Sequence, residues 1–150
     1  MPQVVFDVAR EADVPAMVTL LGELFRLESD FEPDPSKQEQ GLRLILHQPL
    51  LGQLFVARIE DQVAAMASLL FTVSTAEGGR VGLVEDVIVR AAWRREGLGR
   101  GLLEHVTDWA RANGCLRLTL LADRENTPAL EFYHRLGFQR STMAVLRRRI

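Results

Sequence analysis

The 150-residue chain has one cysteine, Cys115, one tyrosine, Tyr133, and one lysine, Lys37. A single cysteine excludes an internal disulfide and fits a reducing compartment. No apolar run approaches the roughly 20 residues of a membrane span, and no basic stretch leads into an apolar core at the N-terminus, so a cytoplasmic protein is expected. A formal charge of −2 argues against nucleic acid as a partner, because phosphate backbones demand a strong positive excess. His47, His105 and His134 lie singly, and no metal site is expected. Neither a Walker loop nor a G-x-G-x-x-G fingerprint is present, and no Ser/His/Asp spacing stands out. Repeats, low-complexity tracts and linker composition are also missing, so residues 1–150 read as one domain. Hydrophobic content of 47% with mean hydropathy +0.02 places the chain among globular proteins rather than disordered ones.

Charge is divided unevenly along the chain. Residues 1–89 carry 6 basic and 14 acidic side chains, whereas residues 90–150 carry 12 basic and 6 acidic. An acidic first half and a basic second half suit an enzyme that joins a cationic substrate to an anionic one. Four carboxylates, Glu28, Asp30, Glu32 and Asp34, are concentrated in one proline-containing loop, where Asp30 and Glu32 are candidates for binding a small cation.

The periodicities predict a mixed α/β protein. Val4 to Val8 reads as a strand, and Asp13 as the N-cap of a helix with the stripe Val14, Met17, Val18, Leu21, Leu24 and Phe25. Ser36-Lys37-Gln38-Glu39 has the spacing of a capping box for a second helix ending near His47. Leu54–Ile59 and Val63–Val73 read as a hairpin joined by Glu60-Asp61-Gln62, followed by a third antiparallel strand, Val81–Val89. A helix with the stripe Leu98, Leu102, Val106 and Ala110 ends at Asn113-Gly114. It crosses to a strand at Leu116–Leu121 that should pair parallel with Val81–Val89. Asn126-Thr127-Pro128 opens a short helix, and Phe138–Arg147 should supply one or two closing strands.

Between the strand Val84–Val89 and the helix beginning near Leu98 lies Arg94-Arg95-Glu96-Gly97-Leu98-Gly99-Arg100-Gly101. A glycine-rich turn at a helix start leaves backbone N–H groups unpaired, lets a ligand approach closely and adds the helix dipole's partial positive charge. That combination suits a diphosphate, and a Cβ at Gly99 should obstruct it.

The pattern R-x-x-G-x-G after a strand carrying Glu85-Asp86 resembles the acyl-CoA pyrophosphate turn of the GNAT superfamily of N-acetyltransferases. A second stretch, Asn126-x-x-Ala129-x-x-Phe132-Tyr133-x-x-x-Gly137-Phe138, is similar to that family's later signature, and Val8 to Met17 looks like its opening. Together these cover nearly the whole chain. Two departures stand out: Ala91 replaces a common proline, and Arg95 a frequent glycine.

The resemblance implies a mostly antiparallel sheet splayed at a central parallel strand pair, with helices on both faces. It implies acetyl-CoA as co-substrate: Val87, Ile88 and Val89 would pair with the pantetheine amides, and Arg94, Arg95, Gly97, Leu98, Gly99 and Arg100 would surround the pyrophosphate. Asn126 would touch the same molecule, although Asn before Thr-Pro is equally a helix cap. Tyr133 would protonate the departing thiolate, and Glu85 would take the amine proton, with Asp86 or solvent as the alternative. Successive strand side chains point to opposite faces, so Glu85 and Asp86 cannot share one cavity unless a bulge intervenes. Cys115 has no activating partner in sequence. The expected activity is acetyl transfer to a primary amine of a small cationic acceptor. Transfer to protein or peptide amines and a non-catalytic acyl-CoA sensor are the alternatives, and a homodimer is an open option.

Overall fold

The structure, a computed structural model, describes residues 2–28 and 30–150. Strand β1 (Val4–Val8) leads through a 3-10 turn at Glu11–Asp13 into helices α1 (Val14–Leu27) and α2 (Pro35–Leu46). Strands β2 (Gly52–Ile59), β3 (Gln62–Ser74) and β4 (Gly79–Val89) follow. Helix α3 (Leu98–Ala112), strand β5 (Leu118–Leu120) and helix α4 (Thr127–Arg135) complete the regular structure. The sheet order is β1-β2-β3-β4-β5, antiparallel throughout except for the parallel pair β4–β5.

Alternation along the strands divides the core into two layers. Phe55 and Ala57 of β2, with Val84 of β4, pack beneath the α3 stripe Leu98, Leu102, Val106 and Ala110. Leu54 and Val56, with Met66 and Ile88, pack beneath Val14, Met17, Leu20 and Leu21 of α1 and Leu42 of α2. Helices therefore cover both faces, and β4 is sandwiched between them. Gly101 permits the close seating of α3 on β1, since a Cβ there would run into the Phe6 ring.

Several local details follow from side-chain chemistry. The β2–β3 hairpin closes through Glu60 and Asp61, both with positive φ, as a two-residue loop with right-handed strand twist requires. Asp13 precedes α1 but does not cap it. Its carboxylate accepts from the Arg10 N–H (2.7 Å) and forms a buried ion pair with Arg58 (Nη2–Oδ2 2.5 Å), which also reaches Asp7. Removing one member of such a pair would strand the other as an uncompensated buried charge. The cap of α2 is Asp34 rather than Ser36: its Oδ1 accepts from Lys37 N–H, while its own N–H donates to Gln38 Oε1. Pro35 then takes the first helical position, where no N–H is required.

Two expected elements differ. The strand expected at Leu116–Leu121 is confined to Leu118–Leu120, although Leu116 N–H still donates to Arg80 O. The closing strands expected over Phe138–Arg147 do not form. So short a β5 offers little edge to pair with, and Met143, Val145 and Leu146 remain exposed rather than covering a sheet face. The segment is held instead by Arg147, which meets Asp30 at 3.0 Å. As a result the parallel pair lies at the sheet edge. No helix among the described residues is long and apolar enough to cross a membrane.

Candidate functional site

The site is built around an irregularity in β4. Pairing with β3 runs in register up to Ser68↔Glu85 and resumes at Met66↔Ile88, so Asp86 and Val87 together oppose Ala67 alone. Asp86 has φ +56, a left-handed conformation that aspartate tolerates better than most side chains. The core layers record the consequence. Val84 packs on the α3 side and Ile88 on the α1 side, although four residues of regular strand would have left them on one face. This is the bulge that the Glu85-Asp86 pair needs in order to serve one cavity.

Ser68, buried on β3, anchors the bulge. Its Oγ lies 3.0 Å from Glu85 O and 3.2 Å from Asp86 Oδ2. Burial, with the Glu85 charge beside it, pushes the Asp86 carboxyl up from 3.8 to about 6, against the hydrogen bond from Ser68. Glu28, just past the end of α1, is the next carboxylate in the cluster. Burial raises it, and the charges of Asp86, Asp123 and Asp30 act in the same direction, opposed by Arg147. Tyr133 completes the group: burial raises its hydroxyl, and so does the Glu28 charge.

Helix α4 brings Tyr133 here through its neighbour. A Cβ built on Gly99 would meet the Phe132 ring at 3.3 Å and Val89 at 3.6 Å, so Phe132 is wedged between the start of α3 and the end of β4. Tyr133, its ring centroid 5.3 Å from that of Phe132, follows it into the site. The missing side chain of Gly99 thus makes room for Phe132. The open side of the turn belongs to Gly97, which has φ +81 and nothing within 4 Å of a built Cβ. Arg95 also has positive φ, so the arginine standing at a frequent glycine position carries some backbone strain.

From Arg95 to Arg100, no backbone N–H is taken by an acceptor among the described residues. That row of donors at a helix start is an anion site in waiting. The Arg94 side chain turns back instead, donating from Nε to Val89 O at 3.0 Å, and Arg100 pairs with Glu104. Along β4, pairing with β5 ends at Val84, so Glu85–Val89 present an open strand edge on that side. Asn126 Oδ1 accepts from Ala129 N–H at 3.2 Å and caps α4. Asp30 pairs with Arg147, whereas Glu32 is exposed. Cys115 is half-buried, and burial raises its thiol against the lowering effect of Arg80.

The structure thus brings Glu85, Asp86 and Tyr133 into one region, beside an open strand edge and a row of free N–H donors. Two contributors carry no signal in the sequence: Ser68 has no motif around it, and Asp123 is marked only by following the strand parallel to β4.

Residues 15–138 match the family model described as Acetyltransferase (GNAT) family. The chain is 31% identical over 91 residues to a glucosamine 6-phosphate N-acetyltransferase of Trypanosoma brucei brucei, spanning 60% of this chain and 60% of that protein. It is 32% identical over 139 residues to glucosamine 6-phosphate N-acetyltransferase 1 of Oryza sativa subsp. japonica, covering 78% of this chain and 82% of the relative. In fold it is similar to a crystal structure described as a possible acetyltransferase from Clostridium difficile 630, with TM-score 0.87 at 18% identity, over 98% of this chain and 97% of the other.

Proposed function

Because the chain belongs to the GNAT family of acetyltransferases, we propose that it moves the acetyl group of acetyl-CoA to a primary amine of a small, cationic acceptor by direct attack. The observation that supports this reading is the β4 bulge, which holds a carboxylate of raised pKa next to an open strand edge; the half-buried Tyr133 and Asp86 both lie within reach of the Glu28 charge.

In this reading the open edge at Val87, Ile88 and Val89 receives the pantetheine amides. The N–H groups of Arg95, Gly97, Leu98, Gly99 and Arg100 receive the pyrophosphate, with Arg94 and Arg100 side chains within the same turn and Asn126 Nδ2 left free to donate. The acceptor approaches from the carboxylate side, bordered by the acidic segment from Glu28 through Asp30 and Glu32. Its ammonium gives a proton to Asp86, whose basicity the neighbouring Glu85 charge increases. Glu85 itself, or an intervening water, is the alternative acceptor for that proton.

The freed amine nitrogen attacks the thioester carbonyl carbon, and negative charge builds on the carbonyl oxygen, where a β4 backbone N–H can stabilise it. The C–S bond then breaks, the thiolate takes a proton from Tyr133, and the second proton on the acylated nitrogen leaves through solvent to restore the Tyr133 hydroxyl. A tyrosine whose pKa is raised remains protonated at neutral pH and is therefore available as a donor. Cys115 takes no part, since a thiol kept protonated is a poor nucleophile.

The test is amine-dependent release of free CoA thiol from acetyl-CoA, across amines, amino acids, polyamines, aminoglycosides and peptides, with mass spectrometry of the products. The expected result is one thiol released per acetylated amine with at least one small-amine class. Acetyl-CoA left intact with every amine would overturn the reading.

A further inference from the structure

Beside the carboxylate cluster is a cavity of about 300 Å³ lined by Asp30, Phe31, Arg147 and Arg149. It is assembled from distant parts of the chain, the loop after α1 and the irregular C-terminal segment. Its charge is mixed. Arg147 Nη1 donates to Asp30 Oδ2 at 3.0 Å, and the same guanidinium lies 5.3 Å from the centre of the Phe31 ring. Arg149 lines the same cavity and has no carboxylate within ion-pair distance among the described residues.

Glu28 stands two positions before Asp30 of the cavity lining, and it feels both the negative charges of Asp86 and Asp123 and the positive charge of Arg147, another lining residue. A ligand whose ammonium reaches Asp86 would therefore extend past Glu28 towards two guanidinium groups. Guanidinium forks bind planar or tetrahedral oxyanions with two parallel hydrogen bonds. A bare polycation placed here would bring a second positive charge against Arg147 and Arg149.

We propose that the acceptor carries an oxyanion as well as its amine, and that Arg149 and Arg147 bind that oxyanion in the Asp30–Phe31 cavity. This rests on the acetyl-transfer reading above and narrows it to amino phosphates or amino carboxylates. Asp30 is then a positioning residue that holds Arg147 over the Phe31 ring, so that its remaining N–H groups face the cavity.

The experiment compares matched acceptors: ethanolamine with O-phosphoethanolamine, an amino sugar with its phosphate, and an alkylamine with the corresponding amino acid. Each is assayed with wild type, Arg149→Ala and Arg149→Lys. Arg149 makes no ion pair among the described residues, so its removal should leave the melting temperature unchanged, which circular dichroism checks. The expected result is a kcat/KM at least tenfold higher for one anionic class than for its neutral partner. Arg149→Ala should abolish that preference through KM while leaving the neutral amine untouched, and Arg149→Lys should restore part of it. The arm that responds distinguishes phosphate from carboxylate. Equal or better turnover of the acceptors that lack an oxyanion would overturn the proposal, as would an equal loss for all acceptors in Arg149→Ala. Failure of every acceptor to release thiol would instead contradict acetyl transfer itself.

Discussion

Ser68 Oγ lies 3.2 Å from Asp86 Oδ2 and 3.0 Å from Glu85 O, and its single proton can serve only one of them at a time. When Asp86 is ionised, the hydroxyl can turn towards the carboxylate. When Asp86 is protonated, its own O–H can donate to Ser68 Oγ, leaving the Ser68 proton for the Glu85 carbonyl. One serine thus accommodates both protonation states without moving the bulge. Ser68→Ala removes the hydrogen bond that favours the charged form, so the Asp86 pKa should rise above about 6. The acidic limb of kcat/KM should shift to higher pH, with the plateau rate at alkaline pH largely kept. An unmoved limb would detach Ser68 from the titrating group.

Asp86 should also cost stability. Its folded pKa, about 6, lies above the ordinary 3.8, so the folded state holds the proton more tightly than the unfolded chain. That favourable contribution is complete below pH 3.8 and is lost as pH rises through about 6. The difference of roughly two pKa units corresponds to about 3 kcal/mol at pH 8. Asp86→Asn should therefore be more stable than wild type at pH 8, by about 1–3 kcal/mol in urea unfolding, with the advantage disappearing near pH 4. Equal stability at pH 8 would mean that the carboxylate is not strained by burial.

Gly97 and Gly99 should fail in different ways. Gly97→Val places a β-branched residue at φ +81 and disturbs the N–H row, so acetyl-CoA affinity should fall tenfold or more, about 1.4 kcal/mol. Gly99→Val pushes on Phe132, so it should destabilise the fold by about 1–3 kcal/mol and lower kcat through displaced Tyr133. Calorimetry and thermal melts on the two variants separate these effects. Intact acetyl-CoA affinity in a folded Gly97→Val protein would remove the turn from the binding site.

Much of this architecture is legible in the residue pattern, because burial imposes periodicity. The α3 stripe of Leu98, Leu102, Val106 and Ala110 is buried as spaced, and Gly114 takes the left-handed position expected after that helix. The bulge is not legible, because no glycine marks it. Asp86 bears the left-handed backbone itself, and register depends on Ala67 across the sheet. Glu85 therefore stands out as the proton acceptor from motif position alone, while the hydrogen bond of Asp86 with Ser68 and its effect on Glu28 depend on strands and loops distant in sequence. The C-terminal segment was misleading for the opposite reason. Its apolar residues resemble strand positions, but an edge as short as Leu118–Leu120 gives them little to pair with. Ser36 likewise matched a capping pattern that Asp34, two residues earlier, fulfils in space.

Cys115→Ala should retain most activity. The thiol is half-buried and its pKa is raised, so little thiolate exists at neutral pH. Transfer should show no acetylated enzyme on rapid quenching with acetyl-CoA alone. Acetyl recovered on Cys115 by peptide mass mapping would replace direct attack with a two-step route.

The pH profile of kcat/KM tests the central claim most directly, measured with an acceptor amine of low pKa so that substrate ionisation does not mask the enzyme. Wild type should show an acidic limb near the Asp86 value of about 6. Asp86→Asn should lose that limb along with 10²–10⁴-fold in rate, the usual worth of a general base, and Tyr133→Phe should lower kcat while keeping the limb. If Asp86→Asn keeps both the limb and the rate, the proton goes to Glu85 or to water, and the bulge at Asp86 is not the catalytic centre.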